Sequence, residues 1–214
     1  MNKNNVYSGS LITFEGLDFC GKSTQVKLLR DKLESYQRLP LLIREPGGTT
    51  IGEKLREMLL DKNNTAMTQA TEMSLFNGSR SQLVHEVITP ALNDGMIVLC
   101  DRFYDSTTAY QGFGRGMDLD YILKTNIIVT GGLVPDITFF IEISVDEMEK
   151  RYKKSGMKKD RMELLGAEFY EHVLEGYHWI AEKEPDRFKI IDGMRSIDII
   201  HEDIVTHFKS IKNN

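Results

Sequence analysis

The chain has 214 residues, 41% of them hydrophobic and 28% charged, so it can bury a core of ordinary size and disorder is not expected. This length predicts one α/β domain spanning residues 1–214. The formal net charge of −5 argues against a general nucleic-acid binder, which needs a basic surface, but it allows a small anionic ligand held by local positive groups.

The two cysteines, Cys20 and Cys100, lie far apart and form neither a disulfide framework nor a zinc-binding spacing, which fits a reducing compartment. The first residues, MNKNNVYSGS, are polar and lack the apolar core of a secretion signal. No run approaches the ~18 apolar residues of a membrane span. We therefore expect a cytoplasmic protein without a membrane partner.

The first predicted strand, LITFE (11–15), leads into a glycine-rich loop and a predicted helix over 22–37. The loop matches Gly-x-x-x-x-Gly-Lys-Ser between a strand and a helix, the context that a phosphate-binding loop requires and a chance glycine-rich turn does not. Lys22 would reach the β- and γ-phosphates of a nucleotide, and Ser23 would help position Mg²⁺. The predicted nucleotide-binding residues are Gly16, Leu17, Asp18, Phe19, Cys20, Gly21, Lys22, Ser23 and Thr24.

The next segments combine a second strand, LLIRE (41–45), with helical patterns over 49–61 and about 68–92, in which Asn77-Gly78 is a candidate break. Phe76 and Arg80 are four residues apart and share a helical face. An aromatic ring beside a guanidinium suits a flat base, although a core phenylalanine with a surface arginine would give the same pattern.

The third strand, MIVLCD (96–101), ends in Asp101, a candidate for the carboxylate that organises Mg²⁺ beside the phosphate loop. DRFYDSTTAYQGFGRG (101–116) follows and is the densest polar stretch of the chain. Because ligands of α/β proteins bind at the carboxyl ends of parallel strands, this stretch predicts a second part of the binding site.

The remaining segments continue the alternation of strands and helices. Helical patterns cover 118–129, 145–154, 162–184 and 196–211, and apolar strands cover 137–143 and 188–192. The chain therefore predicts an α/β fold with a five-stranded, doubly wound parallel sheet flanked by helices. The charged segment KKSGMKKDR (153–161) is the best candidate for a mobile loop.

A phosphate loop alone leaves several classes of protein open. A GTPase would need Asn-Lys-x-Asp after a late strand, and none occurs in that position. Motor and nucleic-acid ATPases usually have longer chains and a basic surface. A small kinase fits this length best.

Several motifs together closely resemble the thymidylate kinase (dTMP kinase) family. They are REPGG (44–48), the Phe76/Arg80 pair, DRFYDSTTAYQGFGRG (101–116) and a phosphate loop that carries Asp18. The similarity covers nearly the whole chain and keeps the motif order. It implies a P-loop NTPase fold and transfer of the γ-phosphoryl group of ATP to dTMP, giving dTDP and ADP for dTTP synthesis.

The resemblance also implies roles for single residues. Asp18 would bind the 3′-hydroxyl of the acceptor sugar, and Arg102 would hold the acceptor phosphate. Tyr110 would pack under the sugar and exclude a 2′-hydroxyl. The implied base-binding residues are Phe76, Arg80, Thr107 and Gln111. Arg44, Glu45 and Arg56 would complete the surroundings of the acceptor phosphate and of a Mg²⁺ ion held by Ser23, Asp101 and Glu45.

Some members of the family carry a basic residue inside the phosphate loop, and this chain has none there. The resemblance then assigns that role to a lid, here near 150–161, whose candidates are Arg151, Lys153, Lys154, Lys158, Lys159 and Arg161. We expect Arg161 or Arg151 to contact ATP and act with Lys22, Asp101 and Arg102 in catalysis. Phe19 and Cys20 depart from the small residues common at their positions.

Three functions stay open at this point. The first is a thymidylate kinase, which by resemblance would be a homodimer joined through long apolar helices. The second is another nucleoside monophosphate kinase, with dUMP or a modified pyrimidine as acceptor. The third is a nucleotide-binding regulator without turnover, against which Lys22, Ser23, Asp101 and Arg102 argue.

Overall fold

The computed structural model describes residues 7–156, 161–162 and 165–212. The strands are β1 (Ser10–Glu15), β2 (Leu41–Arg44), β3 (Ile97–Asp101), β4 (Ile137–Glu142) and β5 (Phe188–Asp192). The helices are α1 (Lys22–Glu34), α2 (Thr50–Leu60), α3 (Gln69–Leu83), α4 (Thr89–Asn93), α5 (Tyr104–Thr107), α6 (Leu119–Thr130), α7 (Val145–Ser155), α8 (Ala167–Lys183) and α9 (Ile197–Lys212). Two π-helical segments, Val84–Ile88 and Thr108–Gly114, follow α3 and α5.

The five strands form one parallel sheet in the order β2-β3-β1-β4-β5, which confirms the predicted doubly wound architecture. In the register, Phe14 of β1 and Arg44 of β2 both lie opposite Asp101 of β3. Three neighbouring strands therefore end at the same level, and the residues that follow them meet at one edge of the sheet.

Apolar side chains cover both faces of the sheet. Alternate residues of β1 and β3 enter different clusters: Leu11 and Val98 belong to one, whereas Ile12 and Leu99 belong to the other. This division follows from the period of two in a strand, and it explains why the strands are apolar at nearly every position. The covered sheet is the rigid support of the edge described above.

Side-chain caps begin several helices where the sequence offers Thr, Ser or Asp. Thr49 accepts from the N–H of Gly52, Thr68 from that of Thr71, and Ser144 from that of Glu147. These caps satisfy N–H groups that the first helical turn leaves without a partner. The helix boundaries near 49–61 and 145–154 accordingly agree with the sequence.

Three details differ from the sequence predictions. The candidate break at Asn77-Gly78 is wrong: α3 runs through it, and the irregularity lies about two turns later, in the π-helical segment after Leu83. Helix α8 begins at Ala167 rather than near 162. In the segment proposed as a mobile loop, Lys153–Ser155 belong to α7, while 157–160, which include Lys158 and Lys159, lie outside the described residues.

Among the described residues, no helix combines the length and the apolar character needed to cross a bilayer.

Candidate active site

A cavity of about 590 Å³ opens at the sheet edge where β1, β2 and β3 end. It brings together most of the residues predicted from the sequence, although they come from segments up to about 90 residues apart. Those that line it are Asp18, Phe19, Gly21, Lys22, Ser23, Thr24, Arg44, Glu45, Arg56, Phe76, Arg80, Asp101, Arg102, Thr107, Tyr110 and Gln111.

The phosphate loop has the backbone that its glycines allow. Gly16 has φ 139°, and a Cβ atom there would lie 2.5 Å from the carbonyl oxygen of Ile141. Gly21 is the N-cap of α1 and adopts a left-handed conformation that glycine tolerates. The N-terminus of α1, which favours negative charge, thus follows the loop directly. The Nζ atom of Lys22 donates to the carbonyl oxygens of Gly16 (3.1 Å) and Leu17 (2.8 Å), which keeps this ammonium inside the loop.

Ser23 and Asp101 meet at the base of the loop. The Oγ atom of Ser23 donates to Oδ2 of Asp101 over 2.8 Å. A hydroxyl beside a carboxylate is a hard oxygen donor set, which fits Mg²⁺. Within the described part of the chain, no group of three or more His, Cys, Asp or Glu side chains could hold a metal. Mg²⁺ in nucleotide sites is commonly bound by one or two protein groups, with waters and substrate phosphates as its other ligands.

Arg102 binds Asp18 directly. Its Nη2 atom donates to Oδ1 of Asp18 over 2.7 Å, and its Nη1 atom donates to the carbonyl oxygen of Gly16 over 2.9 Å. Burial works to raise the pKa of Asp18, but the charges of Arg102 and Lys22 outweigh burial and hold that pKa below its ordinary value. The acid inside the phosphate loop is thus ionised and turned toward the DR segment.

The sequence analysis missed Glu15, a fully buried carboxylate behind this pair. Its Oε1 atom accepts from the N–H of Phe103, and its Oε2 atom accepts from the hydroxyls of Ser106 (2.6 Å) and Tyr177 (2.8 Å). Burial, and then the charge of Asp105, raise the pKa of Glu15. The available signal was the one used for Asp101, an apolar strand that ends in an acid.

Glu45 and Arg80 form a buried ion pair with 2.7 Å between Oε2 and Nε. Nη1 of Arg80 also donates to Oγ1 of Thr107 over 2.8 Å. The Oε1 atom of Glu45 is buried without a hydrogen-bond partner among the described residues. Burial raises the pKa of Glu45 to about 7, despite Arg80. Glu45 and Ser23 both line the cavity, but Glu45 as a metal ligand stays a prediction.

Two further cations, Arg44 and Arg56, line the cavity. Arg44 donates to the carbonyl oxygen of Pro46 and to Glu53, and Arg56 donates to the same carbonyl over 3.0 Å. Both cations are thus held by the turn that the REPGG motif forms.

Tyr110 lies under the guanidinium of Arg102, whose carbon is 5.2 Å from the ring centre. Its ring also meets Phe169 and Tyr177 edge-on, so the position of the ring is fixed by packing.

The two arginines proposed for the lid lie in different places. Nη1 of Arg151 donates to the carbonyl oxygens of Phe19 (3.3 Å) and Cys20 (3.5 Å), beside the phosphate loop. Arg161 instead donates to Glu72 over 2.6 Å and to the carbonyl oxygen of Leu59. Neither belongs to the cavity lining within the described ranges.

The sequence indicated no function for Phe19 and Cys20, and in the structure both have packing roles. Phe19 adopts a positive φ of 61° and its ring meets that of Tyr152 on α7 edge-on, with 5.6 Å between ring centres. Cys20 is buried, and its Sγ atom lies 3.7 Å from Nζ of Lys22. The loop is therefore packed against α7, the helix that leads into the predicted lid.

Comparisons with known proteins agree with this geometry. The family model described as thymidylate kinase matches residues 14–204. The thymidylate kinase of Caldanaerobacter subterraneus subsp. tengcongensis is 47% identical over 197 residues, which cover 92% of this chain and 93% of that protein. That of Chlorobaculum parvum is 43% identical over 210 residues, with coverage of 94% and 96%. The crystal structure of thymidylate kinase from Ehrlichia chaffeensis superposes with a TM-score of 0.75 at 33% identity, over 92% of this chain and 97% of that one. This chain belongs to the thymidylate kinase family.

Proposed function

We propose that this chain is a single-domain, ATP-dependent nucleoside monophosphate kinase that transfers the γ-phosphoryl group of ATP to dTMP. The products are ADP and dTDP, a step toward dTTP. The observation that carries the proposal is the contact between Arg102 and Asp18, which joins an acceptor-side arginine to the phosphate loop within one cavity.

Phosphoryl transfer between two anions depends mainly on position and charge. The acceptor phosphate oxygen is already deprotonated, so no protein base is needed. Lys22 neutralises charge on the donor phosphates, and Arg102 holds the acceptor phosphate in line with them. Mg²⁺ bound near Ser23 and Asp101 would supply further neutralisation of the phosphates.

The acceptor nucleotide would occupy the part of the cavity between α3 and the segment after β3. Phe76 offers a ring face for the base, and Tyr110 forms the floor of the sugar site. Arg44 and Arg56 add positive charge where the acceptor phosphate would lie. Asp18 would exchange part of its bond with Arg102 for the 3′-hydroxyl of the sugar.

A coupled assay of ADP release tests the proposal with dTMP, dUMP, TMP, CMP, AMP and GMP as acceptors. We expect dTMP to give the largest kcat/KM. A larger kcat/KM with dUMP would favour the second kinase hypothesis, and ATP binding without turnover of any acceptor would favour the regulator. Absence of turnover with dTMP would contradict the proposed dTMP kinase activity.

We further propose that the enzyme is a cytoplasmic homodimer. Both cysteines are buried free thiols, which suits a reducing compartment. The dimer rests on the family resemblance, and α6 supports it because Tyr121, Ile127 and Ile128 are exposed on that helix.

A further inference from the structure

Glu72 is a buried carboxylate that contacts Gln111, a residue of the cavity lining. It lies on α3 four residues before Phe76 and eight before Arg80, so the three share one helical face. Its side chain is 2% exposed. It accepts hydrogen bonds from Gln111 (3.0 Å), Arg115 (2.8 Å) and Arg161 (2.6 Å).

We propose that Glu72 determines base specificity by fixing the orientation of the Gln111 amide. Glu72 takes the Nε2 side of that amide, so Gln111 offers Oε1, a hydrogen-bond acceptor, to the base. The acceptor nucleotide must then carry a ring N–H, as thymine and uracil do and cytosine does not. This inference rests on the proposed function and extends it to a positioning residue.

The direction of the Glu72–Gln111 bond follows from the chemistry of the partners. An ionised carboxylate only accepts hydrogen bonds, so the amide must turn its nitrogen toward it. Burial works to raise the pKa of Glu72, but hydrogen bonds from Arg115, Gln111 and Arg161 outweigh burial and keep that pKa below its ordinary value. The carboxylate therefore stays ionised at neutral pH, and the amide does not invert.

Thr107 is a second residue of the cavity whose hydrogen-bonding direction is set by its partner. Its Oγ1 atom accepts from Nη1 of Arg80, and Glu45 holds that guanidinium from the other side. Since the Thr107 oxygen accepts, its own hydrogen is left to donate. The cavity then presents an acceptor, Gln111 Oε1, and a donor, the Thr107 hydroxyl. An imide base offers the matching ring N–H beside a carbonyl, whereas cytosine offers a bare ring nitrogen and an amino group.

Calorimetric titration with dTMP and dCMP tests the inference directly. In Glu72→Gln, the side chain keeps its size but can also donate, so the Gln111 amide can invert. We expect the ratio of the dTMP and dCMP affinities to fall about 10- to 100-fold, the range for a mispaired buried polar group.

A double-mutant cycle separates positioning from a general structural role. If Glu72 acts through Gln111, then Glu72→Gln should no longer change the affinity ratio in a Gln111→Ala background. Should Glu72→Gln fail to fold, Glu72→Asp keeps the charge opposite the arginines but shortens the reach to Gln111, and the ratio should again fall.

Two results would overturn the inference. One is an unchanged affinity ratio, whether both affinities stay the same or fall equally, and the other is an effect that persists without Gln111. If the proposed function itself is wrong, the result is different: wild-type protein would bind dTMP no better than dCMP and would not phosphorylate dTMP.

Discussion

At the scale of single residues, Arg102 connects the two halves of the proposed site through one guanidinium. It adopts a positive φ of 72°, which is uncommon for a residue with a side chain. Its backbone N–H donates to the carbonyl oxygen of Phe14, and its side chain binds Gly16, Asp18 and Ser106. These contacts stabilise the strained backbone and fix the direction of the guanidinium.

Replacing Arg102 by Ala should lower kcat about 10²- to 10³-fold, because the acceptor phosphate loses its cation while the donor site keeps Lys22. ATP affinity should change little. Steady-state kinetics and ATP titration measure the two effects. The same change at exposed Arg38 serves as control, and an unimpaired Arg102→Ala enzyme would contradict the assignment.

Glu45 predicts a pH-dependent stability. Its pKa is about 7 in the folded state and 4.5 in its ordinary state, so the unfolded chain ionises first as pH rises. The free energy of unfolding should therefore fall between pH 4.5 and 7, by up to about 3 kcal/mol. In Glu45→Gln this decline should be absent. Urea unfolding at pH 5 and pH 8 compares wild type with Glu45→Gln, and Glu57→Gln is the control at an exposed glutamate. If wild type and Glu45→Gln lost the same stability between these pH values, the assignment of the decline to Glu45 would be wrong.

At the scale of elements, α7 is joined to the phosphate loop by two contacts. Arg151 binds the carbonyl oxygens of Phe19 and Cys20, and it also donates to that of Gly193 over 3.0 Å. Tyr152 packs against Phe19. A movement of α7 would therefore be transmitted to the loop that binds the donor phosphates.

We expect Arg151→Ala to raise KM for ATP about tenfold, because the loop loses its contact with α7 and one neighbouring cation. KM for dTMP should stay within twofold. Lys150→Ala is the matched control, since Lys150 is exposed and, like Arg151, pairs with Glu147. Equal KM values for ATP in both variants would show that Arg151 has no part in donor binding.

The sequence predicted the strand ends well, since an apolar run followed by a polar residue marks the edge of a covered sheet. Asp101 was found in this way, whereas the phosphate loop was found from its glycine and lysine pattern and the role of Arg102 from the family resemblance. The cluster around Glu72 could not be found, because its partners lie 39 to 89 residues away and come from segments with different patterns. The same holds for Tyr177, which reaches Glu15 from α8.

At the scale of the whole molecule, the exposed apolar face of α6 is the best support for a homodimer. Ile128 is 76% exposed on this face. Ile128→Glu would place a charge in the proposed interface, where burial without a partner is strongly unfavourable. Sedimentation velocity should then show a monomer, whereas wild type and Leu39→Glu, a change at another exposed apolar residue, should remain dimeric. A dimeric Ile128→Glu protein would exclude α6 from the interface.

The level ends of β1, β2 and β3 have a consequence for refolding. A shift of β3 by one residue would move Arg102 about 3.3 Å along the sheet and turn alternate side chains to the opposite face. Such a molecule would keep most of its helical content but would separate Arg102 from Asp18. Specific activity after refolding is thus a stricter measure of native strand pairing in this protein than far-ultraviolet circular dichroism.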